Sequence, residues 1–120
     1  AWAYQLAVVV DDALMGINEV VRGCDLLLSS PQQIYLALQL DFAPPHFTHL
    51  PLLCNKQGQR LSKRDQSLDM AALRTSHTPK EIIGMLAHAA GLQQSNEPIT
   101  PQELVGEFSW DKIPTNNIIM

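Results

Sequence analysis

Half of the eight lysines and arginines in this 120-residue chain, Lys56, Arg60, Lys63 and Arg64, fall within nine residues. No acid interrupts them before Asp65. Gly58 gives the segment conformational freedom, and Ser62 adds a hydroxyl. A mobile cationic loop of this kind closes on polyphosphate and stabilises charge as a phosphoryl bond breaks. The same charge run also suits a solvated hairpin tip. A second candidate pairs Tyr4 with Arg22. If both stand at the ends of neighbouring strands, they point to the sheet edge where ligands bind in open α/β sheets. An Arg there clamps a carboxylate through its planar fork, although Glu19 and Asp25 are near enough in sequence to pair with it instead. Asp11 and Asp12 are a third candidate, as acid/base or metal-binding carboxylates. Their more ordinary role is to turn the chain and cap the next helix.

Positioning these groups requires a strand–helix–strand frame. Leu6 to Val10 is a continuous apolar, β-branched run, which reads as a strand buried on both faces. Asp11 and Asp12 end it. Asn18 to Arg22 reads as a short strand with Val20 and Val21 buried. Ser30-Pro31-Gln32-Gln33 reads as a helix start with Ser30 at the N-cap, Pro31 at N1 and Gln33 closing a capping box. That helix runs to about Leu40, before Pro44 and Pro45 break the chain. Phe47 to Leu53 reads as extended, and Lys56 to Gln59 as a turn. The capping device recurs at Thr78-Pro79-Lys80-Glu81, whose helix stops at Gly91, and at Thr100-Pro101-Gln102-Glu103. Strands therefore cluster before about residue 60 and helices after it, the pattern of half an α/β sheet followed by a helical unit.

Composition narrows the classes. With 46% hydrophobic and 17% charged residues, the chain is neither disordered nor fibrous. The net charge of −4 argues mildly against a free-standing nucleic-acid binder. Most of that acidity lies after residue 79, and four of the six earlier cations sit in the one basic segment. Cys24 and Cys54 lack metal spacing and read as reduced, buried thiols of a cytoplasmic protein. His46 and His49 lie in an extended stretch with no third ligand near, so zinc is not expected. His77 reads as a loop residue and His88 as a helix-surface or partly buried one. No run approaches the length of a membrane span, and Ala1 to Val10 lacks the flanks of a signal peptide. A buried strand so close to Ala1 suggests a piece of a longer protein, and an exposed edge beside it would favour self-association.

Five blocks carry a resemblance: YQLAVVVDD at Tyr4 to Asp12, INEVVRGCDLL at Ile17 to Leu27, PQQIYLAL at Pro31 to Leu38, HLPLL at His49 to Leu53, and RLSKR at Arg60 to Arg64. In this order they resemble the class I glutamyl-tRNA synthetases, and especially the short glutamyl-Q-tRNA(Asp) synthetase type. The resemblance implies an α/β fold. Residues 1–66 would be the second half of a Rossmann-like catalytic domain, and residues 67–120 a helical, stem-contact-like region. It implies use of ATP, with Mg2+, to activate glutamate as glutamyl-adenylate, followed by transfer to tRNA. RLSKR takes the place of the KMSKS loop. Lys63 would be the catalytic cation, with Arg60, Leu61 and Ser62 completing the ATP-binding loop. Tyr4 and Arg22 would line the glutamate pocket. No zinc is implied in this segment, and no membrane partner.

The sequence departs from that family at several points. No H-x-G-H string occurs, and HFTH at His46 to His49 is the nearest to it. The half of the fold that carries that motif is expected to lie outside this chain, which alone would be inactive or nearly so. Arg60 replaces the Lys that opens the family's loop motif, which keeps charge but changes point contacts. Val8 stands where ordinary glutamyl enzymes often carry Asn, which favours the glutamyl-Q type, as does the absence of an anticodon-binding domain after Lys63. The alternative is a non-catalytic RNA- or protein-binding module built on the same fold.

Overall fold

The computed structural model describes residues 2–61 and 70–120. Ser62, Lys63 and Arg64 of the basic segment lie outside the described residues. The chain divides into two compact units, Ala1–Leu50 and Pro51–Met120.

The first unit opens with helix α1, Trp2–Leu14, and this corrects the strand expected at Leu6 to Val10. An unbroken apolar run satisfies strand and helix patterns alike, and a length of 13 residues decides for the helix. Val9 is buried at 6% exposure while Leu6 is 46% exposed, so the run is not buried on both faces. The inward face follows i, i+4, i+8 spacing through Gln5, Val9 and Ala13, and α1 packs on α2 (Ser30–Gln39). Asp11 and Asp12 sit inside α1, where their carbonyls accept from Met15 and Ile17. Gly16, at φ 70°, turns the chain out of the helix. The exposed edge expected beside a Leu6–Val10 strand is therefore not there.

Strands β1 (Glu19–Gly23) and β2 (His46–Leu50) pair in parallel, with Val20 opposite Phe47 and Arg22 opposite His49. Parallel neighbours need a crossover. A 3₁₀ turn at Cys24–Ser29 and α2 supply it. Val20 is half-buried, whereas Val21 is 54% exposed rather than buried. The capping box expected at Ser30 does not form. Ser29 is the N-cap and makes no side-chain cap bond. The reason is that α2 has no free start: Ser30 is already helical, and its N–H donates to the Leu27 carbonyl of the preceding turn. Ser30 and Gln33 are thereby released to face inward.

In the second unit, β3 (Leu53–Cys54) pairs in parallel with β4 (Ile118–Ile119). The extended segment at 47–53 is thus two strands, not one, separated at Pro51, which has no N–H to give a ladder. Pairing with β4 also corrects the division into early strands and late helices. Helices α3 (Met70–Ser76), α4 (Pro79–Ala89) and α5 (Pro101–Glu107) and a 3₁₀ turn at Trp110–Lys112 lie in the same unit. Both threonine capping boxes form as their sequences dictate, at Thr78 with Glu81 and at Thr100 with Glu103. Gly91, at φ 76°, follows the C-cap of α4. Ile82, Gly84 and Ala87 form the buried face of α4. Among the described residues, no helix is long and apolar enough to cross a membrane.

Candidate functional site

Arg22 is the centre of the polar cluster in the first unit. β1 delivers it, α2 faces it with Ser30 and Gln33, and β2 sets His49 and Phe47 beside it. Its Nη1 donates to Gln33 Oε1 at 2.8 Å and its Nη2 to Ser30 Oγ at 2.7 Å. Longer contacts of 3.4 Å run from Nε to His49 Nε2 and from Nη2 to the Leu26 carbonyl. The guanidinium carbon lies 4.6 Å from the Phe47 ring centroid, within cation–π range. Phe47 is in turn stacked with the His49 ring at 6.3 Å.

The cluster closes on itself. Ser30 Oγ lies 3.0 Å from His49 Nε2. Which of the two donates depends on the tautomer of the ring. Gln33 Nε2 donates to Gln5 Oε1 on α1 at 2.6 Å. Ser30 and Gln33 are 6% and 3% exposed, so burial demands that their polar atoms be paired, as they are. Among the described residues Arg22 forms no ion pair with a carboxylate.

Tyr4 does not stand at a strand end. It lies on α1, 55% exposed, one residue before the Gln5 that ends the Arg22–Gln33–Gln5 chain. His46 is exposed on β2, on the opposite side of alternation from Phe47, and takes no part in the cluster. Among the described residues, no group of three or more His, Cys, Asp or Glu gathers to hold a metal ion. Cys24 is half-buried and Cys54 is buried.

The second unit builds the base of the basic segment. Asn55 Oδ1 accepts from the Gln57 and Gln59 N–H groups at 3.1 and 2.9 Å, and Gly58, at φ 76°, completes the turn. Cys54 and Arg60 form an antiparallel bridge, and the Leu61 N–H donates to the Leu53 carbonyl at 2.9 Å. The segment therefore leaves a pinned hairpin rather than a loose loop. Lys56 and Arg60 are exposed on it, while Leu61 is half-buried beside Leu53, Leu73 and Ile82.

Sequence reasoning missed Ser30, Gln33, His49 and Asn55 as supports. A signal was present for three of them. Ser30, Gln33 and the buried Ala37 share one face of α2 at i, i+3, i+7 spacing, and parallel pairing of the two short strands sets His49 opposite Arg22.

The family described as tRNA synthetases class I (E and Q), catalytic domain, matches residues 2–118, nearly the whole chain. The chain belongs to this family. The class I synthetase chain is 48% identical over 112 residues to the glutamyl-Q tRNA(Asp) synthetase of Symbiobacterium thermophilum, covering 92% of this chain and 35% of that protein. It is 45% identical over 119 residues to the glutamyl-Q tRNA(Asp) synthetase of Nitratidesulfovibrio vulgaris, covering 98% and 37%. In three dimensions it resembles a glutamate tRNA ligase from Elizabethkingia meningosepticum, whose crystal structure is in complex with its amino acid. The TM-score is 0.78 at 26% identity, covering 97% of this chain and 27% of that one. The synthetase chain thus spans between about a quarter and two-fifths of the length of the proteins it matches.

Proposed function

We propose that this chain is part of an enzyme that activates glutamate with ATP and transfers it to a tRNA. In this reading residues 1–66 are the second half of a Rossmann-like catalytic domain, and residues 67–120 are a helical region against the tRNA stem. The observation that carries the reading is Arg22, a half-buried guanidinium held by Gln33, Ser30, His49 and Leu26 and by no carboxylate among the described residues. Such a group suits an incoming carboxylate.

The chemistry specifies which carboxylate. In activation an α-carboxylate oxygen of glutamate bonds to the α-phosphorus of ATP, pyrophosphate leaves, and the α-carboxylate loses its charge in the mixed anhydride. The side-chain carboxylate keeps its charge throughout. A rigidly held cation serves that group, and Arg22 takes this role, with Tyr4 lining the same pocket. Lys63 stabilises the charge that develops on the phosphates, with Arg60, Leu61 and Ser62 as the rest of the ATP-binding loop. These roles rest on protein side chains, beside the Mg2+ expected with ATP. The glutamyl-Q relatives at 48% and 45% identity favour the queuosine base of tRNA(Asp) as acceptor, and a cytoplasmic setting follows from that role.

The test is glutamate-dependent ATP–pyrophosphate exchange by the natural protein that carries these residues, with and without Lys63→Ala. Exchange with glutamate, lost in the variant, is expected. No exchange with glutamate, together with RNA or protein binding that survives Lys63→Ala, would point to a non-catalytic binding module instead.

A further inference from the structure

We infer that Ser30, Gln33 and His49 are positioning residues that fix the Arg22 guanidinium without neutralising it, and so set selectivity for an anionic substrate. The inference rests on the glutamate-binding role proposed for Arg22 and goes beyond it.

An arginine has five N–H donors in a rigid fork. Among the described residues four of them are engaged: Nε on His49, one Nη1 proton on Gln33, and the two Nη2 protons on Ser30 and the Leu26 carbonyl. The two short bonds, at 2.8 and 2.7 Å, lie on different nitrogens and fix the fork in its own plane. Phe47, 4.6 Å away, covers a face of that plane and fixes its tilt. One Nη1 proton has no partner in the cluster, and the two contacts at 3.4 Å are weak enough to be exchanged for a better acceptor.

A merely structural arginine in this place would be held better by an acid. A carboxylate gives shorter, charge-assisted bonds and cancels the buried charge. Among the described residues each acceptor on Arg22 is neutral instead. The deepest of them, Gln33 at 3% exposure, is one atom type away from glutamate and has a second carboxamide, Gln5, locking its orientation at 2.6 Å. This cage holds the cation still and leaves its charge to the ligand.

The discriminating change is Gln33→Glu, which keeps shape and puts a carboxylate where the carboxamide oxygen already accepts. Gln5 can turn its own amide to donate to it. The new ion pair is expected to leave the thermal midpoint equal or higher, while the KM for glutamate in exchange rises by at least about tenfold. The KM for ATP stays at the wild-type value, and kcat at saturating glutamate changes less than the KM. A structural role alone would not improve stability and weaken glutamate binding together. Ser30→Ala, which removes one anchor and no charge, is the second arm: about a threefold rise in the glutamate KM is expected with the ATP KM unchanged. Wild-type exchange with an unchanged glutamate KM in both variants overturns the inference alone. Absence of glutamate-dependent exchange in the wild type overturns the functional reading, and this inference with it.

Discussion

Arg22 and His49 stand opposite each other in the parallel β1–β2 pair, and Arg22 Nε reaches His49 Nε2 at 3.4 Å. The register of two five-residue strands thus places a cation from one against a ring from the other. The crossover helix closes the third side with Ser30 and Gln33. An arginine is required because its bonds radiate in a plane from three nitrogens, toward Gln33, Ser30 and His49 at once. A lysine keeps the charge and loses the fork. Arg22→Lys is therefore expected to raise the KM for glutamate by about ten- to a hundredfold, or about 1.4–3 kcal/mol. Initial-rate exchange assays over a range of glutamate concentrations measure it. A glutamate KM within twofold of wild type would remove Arg22 from the substrate pocket.

Gly84 is a packing requirement of the second unit. It is buried in α4, and a Cβ built on it would run into the backbone carbonyl of Glu97. The same loop is tied down by Gln93, whose side-chain amide donates to the carbonyls of Gly84, Ser95 and Glu97 at 3.0, 2.7 and 2.9 Å. Because the obstacle is backbone and not the tip of a side chain, it cannot swing aside. Gly84→Ala raises intrinsic helix propensity, yet is expected to destabilise by about 1–3 kcal/mol, since overpacking outweighs propensity. A lowered urea midpoint is the readout. An unchanged or raised midpoint would mean that the α4–loop contact is too loose to exclude a methyl group.

The contrast between secure and failed readings has a physical basis. The threonine capping boxes were legible because all their bonds lie within four residues, so local sequence decides them. Ser30 carries the same motif, but a turn runs directly into its helix and supplies the acceptor from Leu27, so the side chain is diverted to Arg22 and His49. That is a tertiary fact with no local signature. Leu6 to Val10 failed for another reason: an unbroken apolar run has no period of its own, and its state is set by packing on α2. Arg22 was legible as a candidate through its place at the end of a short strand. Tyr4 was legible as a candidate on a false premise, since it rides on a helix. The neutrality of the Arg22 cage was not legible, because Gln5, Ser30, Gln33 and His49 come from three elements and meet only when the strand–helix–strand unit closes.

The same capping boxes give the second unit a pH dependence. Glu81 Oε2 accepts from the Thr78 backbone N–H at 2.6 Å and from its hydroxyl at 2.8 Å. These bonds, the backbone one foremost, hold the Glu81 carboxyl below its ordinary value of 4.5. Glu103 is lowered in the same way, first by the Thr100 side chain at 2.6 Å and then by the Thr100 backbone at 2.8 Å. Both groups favour the charged form in the folded state. Their stabilisation is therefore fully present above the ordinary glutamate range and is lost as pH falls through the lowered, folded-state values. Glu103 is exposed and Glu81 half-buried at the surface, so each contribution is small and is screened by salt. Urea midpoints measured from about pH 6 down to about pH 3 are expected to fall more steeply in wild type than in Glu81→Gln/Glu103→Gln. The amide oxygens still accept from Thr78 and Thr100 but do not titrate. Thr78→Ala is expected to cost about 1 kcal/mol near neutral pH, the ordinary worth of an N-cap, because the Glu81 N–H loses its side-chain acceptor. Parallel pH curves for wild type and the double Gln variant would show that the two boxes contribute nothing to acid sensitivity.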